Sequence, residues 1–159
     1  MSTTGSAEDL AAQFEATLAR AIANAEALPL EAWYTVAPAD GRPVNVILYH
    51  VAVAFSFQRR VLRAVLAGDY QPFTPEWVEA ANAEGDAAHR DAEPTEVIDQ
   101  LRGRGASMAD AIRALSPEDL ALEFVFEVGT PRRSVAQIVV DEVIGHVEGH
   151  LAAVQAIAA

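Results

Sequence analysis

Apolar residues recur along this chain at the spacing of helices. Leu10, Phe14, Leu18, Ile22 and Ala25 follow one another at intervals of four and three, which lays one stripe along a helix face. Ser6 with Asp9 predicts the start of that helix, because a serine oxygen accepts backbone N–H groups and an acid suits the positive end of the helix dipole. Pro29 stops it. Residues 30–43 hold Pro38, Asp40-Gly41 and Pro43 and read as a loop. Trp33 and Tyr34 within it either plug the end of a bundle or wall the mouth of a pocket.

Asn45 is a plausible N-cap for a second helix running to Ala67, with Gly68 as its stop. Residues 46–55 are apolar on nearly every side, which places this half at the centre of the core. From Asp69 to Glu93 the pattern is less regular, broken by Pro72, Pro75 and Gly85, with Thr74-Pro75 capping a short helix to about Asn82. A connection of about 25 residues is uncommon without a purpose. It is long enough to cross a bundle and let the next helix run parallel to the last.

That next helix is expected over 95–115, where Val97, Leu101, Met108, Ile112 and Leu115 keep the repeat and Gly105 occupies the missing step. Ser116-Pro117 repeats a cap and a proline for one turn, and residues 122–128 alternate as a strand, a hairpin arm or an extended strap. Ser134 and Gln137 form a capping-box start for the last helix, 135–159. The expected fold is therefore all-α: a four-helix bundle, up-down-down-up, with the long crossover between helices two and three. Residues 1–5 read as a flexible leader and 6–159 as a single domain.

Composition narrows the function classes. The 159 residues are 52% hydrophobic, enough for a packed core. With 23 acidic against 11 basic residues the formal charge is −12, which repels a phosphate backbone and argues against nucleic acid as a partner. No cysteine is present, so a disulfide framework, a thiolate metal site and a cysteine nucleophile are all excluded. The start of the chain lacks the basic and apolar regions of a signal peptide, and no apolar run reaches the roughly 20 residues of a bilayer span. A cytoplasmic protein without a membrane partner is expected.

Chemistry concentrates in the histidines, of which there are four. His146 and His150 stand four residues apart in the apolar last helix, on one face. His50 lies in the buried half of helix two, among Val46, Ile47, Val53 and Ala54, where a polar side chain needs a partner. Three imidazoles on facing helices suit one zinc, nickel or iron(II) ion with a free position for water or substrate. Glu142, one turn before His146, is a fourth ligand, an acceptor for an imidazole N–H, a proton carrier, or the partner of an arginine at the bundle end. Gly145 and Gly149 on the adjoining stripe allow either close helix approach or room for a ligand. His89, in the polar crossover, reads as solvated.

A tryptophan before a turn, then Val-Asn-Val-Ile-Leu-Tyr-His over 44–50 and His-Val-Glu-Gly-His-Leu over 146–151, resembles the DinB-like (YfiT-like) metalloenzyme superfamily, related to the N-terminal domain of mycothiol-dependent maleylpyruvate isomerase. The resemblance extends over 10–157 and implies His50, His146 and His150 as ligands of one divalent metal ion, the up-down-down-up bundle, and often a homodimer. Characterised relatives are transferases or isomerases that use a low-molecular-weight thiol, mycothiol or bacillithiol. The expected activity is thus a thiol-dependent S-transfer or isomerisation of a small-molecule substrate. The alternatives are metal-hydroxide hydrolysis, in which bound water ionises near neutrality, and a non-catalytic metal-binding or dimerisation bundle.

Overall fold

The structure is a computed structural model that describes residues 5–157. Of the expected leader, residues 1–4 lie outside the described residues, as do the last two of the expected domain.

Helices begin where the chain supplies oxygen acceptors for orphaned N–H groups. Ser6 and Asp9 form a reciprocal capping box at the start of α1 (Ala7–Glu26), each backbone N–H donating to the other's side chain at 3.1 Å. Thr74 caps α4 (Pro75–Ala88), and Ser116 caps the short α6 (Pro117–Ala121). Helix α3 (Val44–Ala67) ends on Gly68, whose φ of 77° is the left-handed C-cap that glycine takes without steric cost. Trp33, at the end of a one-turn helix α2 (Leu30–Trp33), is buried, whereas Tyr34 beside it is exposed.

Two local expectations are corrected. Asn45 is not the N-cap of α3: the helix begins at Val44 behind Pro43. Asn45 is fully buried instead and donates its amide to the carbonyls of Arg90 and Ala92 at 3.0 and 3.2 Å, which ties the crossover to the core. The crossover helix, expected to end near Asn82, runs on to Ala88 because its alanines favour helix and outweigh the single Gly85.

The architecture is predominantly α-helical. Helix α5 (Pro94–Arg113) packs against both α1 and α3, and the C-terminal helix closes against α1 and α3. Gly105 leaves room for Leu18 of α1 against α5, since a Cβ there would stand 2.2 Å from Leu18 Cδ2. A simple up-down-down-up set of four helices is too plain a description. The described residues add α2, α4 and α6 to the core helices, and the last helix is continuous but divided into α7 (Val135–Ile138), a π-helical segment (Val139–Ile144) and α8 (Gly145–Gln155). The alternating stretch forms one arm of a hairpin. β1 (Glu123–Val125) pairs antiparallel with β2 (Arg132–Ser134) in the register Glu123 to Ser134, and Phe124 and Phe126 turn into the core. Among the described residues no helix is long and apolar enough to cross a membrane.

Candidate metal centre

Ser134 closes the hairpin and opens the last helix. Its hydroxyl accepts from the Gln137 N–H at 3.1 Å, while Gln137 Oε1 accepts from the Ser134 N–H at 2.9 Å. One turn later the chain widens into the π segment. A π turn carries one residue more than an α turn and leaves backbone groups out of the regular ladder. Gln58 of α3 reaches across and donates its amide to the carbonyl of Glu142 at 2.9 Å. Tertiary packing thus supports the irregular turn that immediately precedes the histidines.

His50, His146 and His150 converge across the seam between α3 and α8. His146 Nε2 stands 3.1 Å from His50 Nε2 and 3.1 Å from His150 Nε2, and one nitrogen from each ring lies within 4.8 Å of the others. The rings meet at steep angles, 84° between His146 and His150 and 78° between His50 and His150, so their nitrogens approach without the faces stacking. Ligands about 2.05 Å from a tetrahedral zinc are roughly 3.3 Å apart, close to the spacing here.

The electrostatics favour neutral rings. Burial pushes the His50 imidazole down from 6.5 to about 4, with His150 and Arg42 adding to the effect. Burial again, then His150 and His50, push His146 down to about 3. His150 is also lowered, chiefly by burial, although Asp40 works against the shift. At neutral pH all three are uncharged, the form that offers a lone pair to a cation. His150 Nδ1 lies 3.2 Å from Asp40 Oδ2, and a proton on Nδ1 facing that carboxylate leaves the Nε2 lone pair toward the cluster. Lone pairs gathered this closely repel unless a proton or a cation lies among them. The donor set therefore fits a divalent metal ion.

Asp40 is the residue the sequence did not reveal. It is held by Arg42 through a fork, Nε to Oδ1 at 2.5 Å and Nη2 to Oδ2 at 3.0 Å, and those bonds keep its carboxyl below the usual carboxylate range. Arg42 in turn bonds Asp86 of α4 at 3.2 Å. In the sequence Asp40 precedes Gly41 and carries only the signature of a turn. Glu142 sits on the wall of a cavity shared with His50 and His146, and its carboxylate pairs with Arg133 at 2.9 Å. Among the described residues His146 Nδ1 is buried without a hydrogen-bond partner.

The glycines admit a single reading. A Cβ on Gly149 would meet nothing within 4 Å, and one on Gly145 would meet only the carbonyl of Val140 in its own helix. Neither serves close approach; both line an open concavity with Asp40, His146 and His150. His89, expected to be solvated, is half-buried. Its ring stacks on Tyr49 with centroids 3.7 Å apart and planes 14° off parallel, at the C-terminal end of α4 and outside the histidine cluster.

On the other side of His146 lies a chamber of about 280 Å³, walled by Phe57, Phe73, Trp77 and Phe126. Gln58 and Glu142 supply polar atoms beside the imidazoles.

Residues 13–154 match the family model described as the DinB superfamily. A solved structure, "Sibling Lethal Factor Precursor - DfsB", superposes with a TM-score of 0.77 at 18% identity, over 95% of this chain and 94% of that one. At that identity the likeness is one of fold. No curated protein matches the chain.

Proposed function

The chain belongs to the DinB superfamily, and from that premise we propose that His50, His146 and His150 hold one zinc, nickel or iron(II) ion in a metal-dependent enzyme of the thiol S-transferase or isomerase type. The observation that carries the proposal is the convergence of imidazole nitrogens, with His146 Nε2 at 3.1 Å from both of its neighbours. Three nitrogen ligands leave a four-coordinate ion one free position, the arrangement of catalytic rather than structural sites. When bound, the ion lowers the pKa of a coordinated thiol from its usual value of about 8.5.

The protein's own groups do the rest. Asp40, locked by Arg42, fixes the tautomer and direction of His150. Burial keeps the three rings unprotonated and ready to bind. Glu142, on the wall of the aromatic chamber, takes up the proton a thiol sheds, and Arg133 steadies its carboxylate. The chamber receives the small-molecule electrophile. This reading includes a single domain over 6–159, a homodimer, a cytoplasmic setting, and a relationship to the mycothiol-dependent isomerases that rests on the sequence resemblance.

Metal analysis of untagged protein tests the site. One equivalent is expected in the native chain and none in His50→Ala or His150→Ala; stoichiometric metal in both variants would sink the proposal. Turnover of a generic electrophile with a panel of low-molecular-weight thiols tests the reaction. A metal-loaded protein that hydrolyses esters and ignores every thiol would replace transfer with hydrolysis.

A further inference from the structure

The chamber beside His50 and His146 has a wall chemistry that metal binding does not require. Phe73 meets Phe126 edge to face, centroids 4.9 Å apart at 85°, and Phe57 meets Phe73 at 5.4 Å and 65°. Such arrays present both ring edges and ring faces, and a further ring extends them favourably. Trp77 lies over them with its centroid 5.6 Å from Phe57, yet it remains 50% exposed. Helix α4, which carries it, contributes no buried residue to the core. A large aromatic surface is therefore left at the chamber mouth with only part of its area covered.

Size and charge narrow the occupant. At about 280 Å³ the chamber lies near the lower end of small-molecule sites, which suits one ring with a short substituent. Arg60 lines the same wall. The ion pairs among the described residues engage Arg20, Arg42, Arg102, Arg113 and Arg133, and leave Arg60 without a carboxylate. Arg59 and Arg63, its neighbours on α3, are likewise outside those pairs. Of the two acids on the wall, Glu142 is already matched by Arg133, so Glu127 alone opposes this positive end. In a chain of net charge −12, an arginine on the chamber wall with no carboxylate partner among the described residues is a selective feature.

We propose that the chamber binds a single aromatic ring bearing a carboxylate, with the ring among Phe57, Phe73, Trp77 and Phe126 and the carboxylate on Arg60. Its role as acceptor substrate rests on the metal-enzyme reading above, whereas its binding does not need the metal.

The protein has two tryptophans, so Trp33→Phe leaves Trp77 as the reporter. The probes are 3-phenylpropionate and its neutral counterpart 3-phenylpropanol, added to metal-loaded and to chelator-treated protein while Trp77 emission is followed. Saturable blue shifts are expected with both, tighter for the acid. Arg60→Gln weakens the acid about tenfold, the loss of one charge-assisted contact, and leaves the alcohol within about twofold. Ala81→Phe fills the chamber from α4, where no core residue is disturbed, and abolishes both shifts. The proposal is overturned by the absence of a saturable shift, by equal affinity for acid and alcohol, or by binding that survives Ala81→Phe. Acid binding seen only with metal and indifferent to Arg60→Gln overturns it too, because the carboxylate would then sit on the ion. Should the protein take up no metal while both shifts persist after chelation, the metal reading fails and the aromatic site stands.

Discussion

Two seams run through this bundle, and they use the same apolar raw material to opposite ends. Between α1 and α5 the contact is close. Gly105 gives up its side chain so that Leu18 can fill the space, and Arg102 and Arg113 of α5 pair with Glu26, Glu8 and Glu15 of α1 along its exposed edge. Between α3 and α8 the same kind of helix face carries His50, His146 and His150, a buried ring nitrogen without a partner, and a π turn supported by Gln58. The first seam is optimised for stability; the second holds polar groups at a cost that only a ligand recovers.

The largest effect expected from breaking this contrast comes from His146→Leu. It removes the central nitrogen of the cluster and with it stoichiometric metal, measured by elemental analysis. In the metal-free state it fills the same space without an orphaned donor, so thermal unfolding should move up by about 2–4 °C, the shift that accompanies roughly 1 kcal/mol in a protein of this size. A drop in the melting temperature of the metal-free protein would show that the imidazole cluster is itself a source of stability. Gly105→Val is the mirror experiment. Overpacking against Leu18 should cost about 1–3 kcal/mol in denaturant unfolding and leave metal content intact. Loss of metal in that variant would mean the seams are coupled. The smallest change sharpens the comparison within the second seam. Asp40→Asn should keep the fold and weaken metal affinity about 10- to 100-fold in competition with a chelator, whereas Glu142→Gln should leave that affinity nearly unchanged.

Much of the fold was legible because its signals are local. Ser6, Thr74, Ser116 and Ser134 each find their partner N–H three residues on, and each caps a helix in the structure. The histidine cluster was legible for a related reason: two rings four apart on an apolar face need a third group, and His50 was the buried candidate. What escaped depended on contacts between distant parts of the chain. Asp40 is an ordinary turn residue until folding sets it beside His150. Asn45 has the chemistry of a cap, but two carbonyls of the crossover claim its amide. His89 lies in a polar stretch, and only folding sets its half-buried ring against Tyr49. Helix geometry did place Glu142 near His146, yet Arg133, from the hairpin, decides what its carboxylate touches.

The π segment has a further consequence, and it is one of angular arithmetic. Val135, Val139, Val143, Val147 and Leu151 are all buried, an unbroken spacing of four. In a straight α-helix each such step overshoots a full turn by about 40°, so the last of these residues would have drifted about 160° around the axis from the first. One surplus residue takes back about 100° of that drift, the rotation a single α-helical position contributes. The five side chains can then share one side of the helix, and the two histidines that immediately precede Val147 and Leu151 keep their bearing toward His50. A stretch built with one residue to spare should absorb a single deletion by reverting to a plain helix, whereas an insertion would have to find a second bulge.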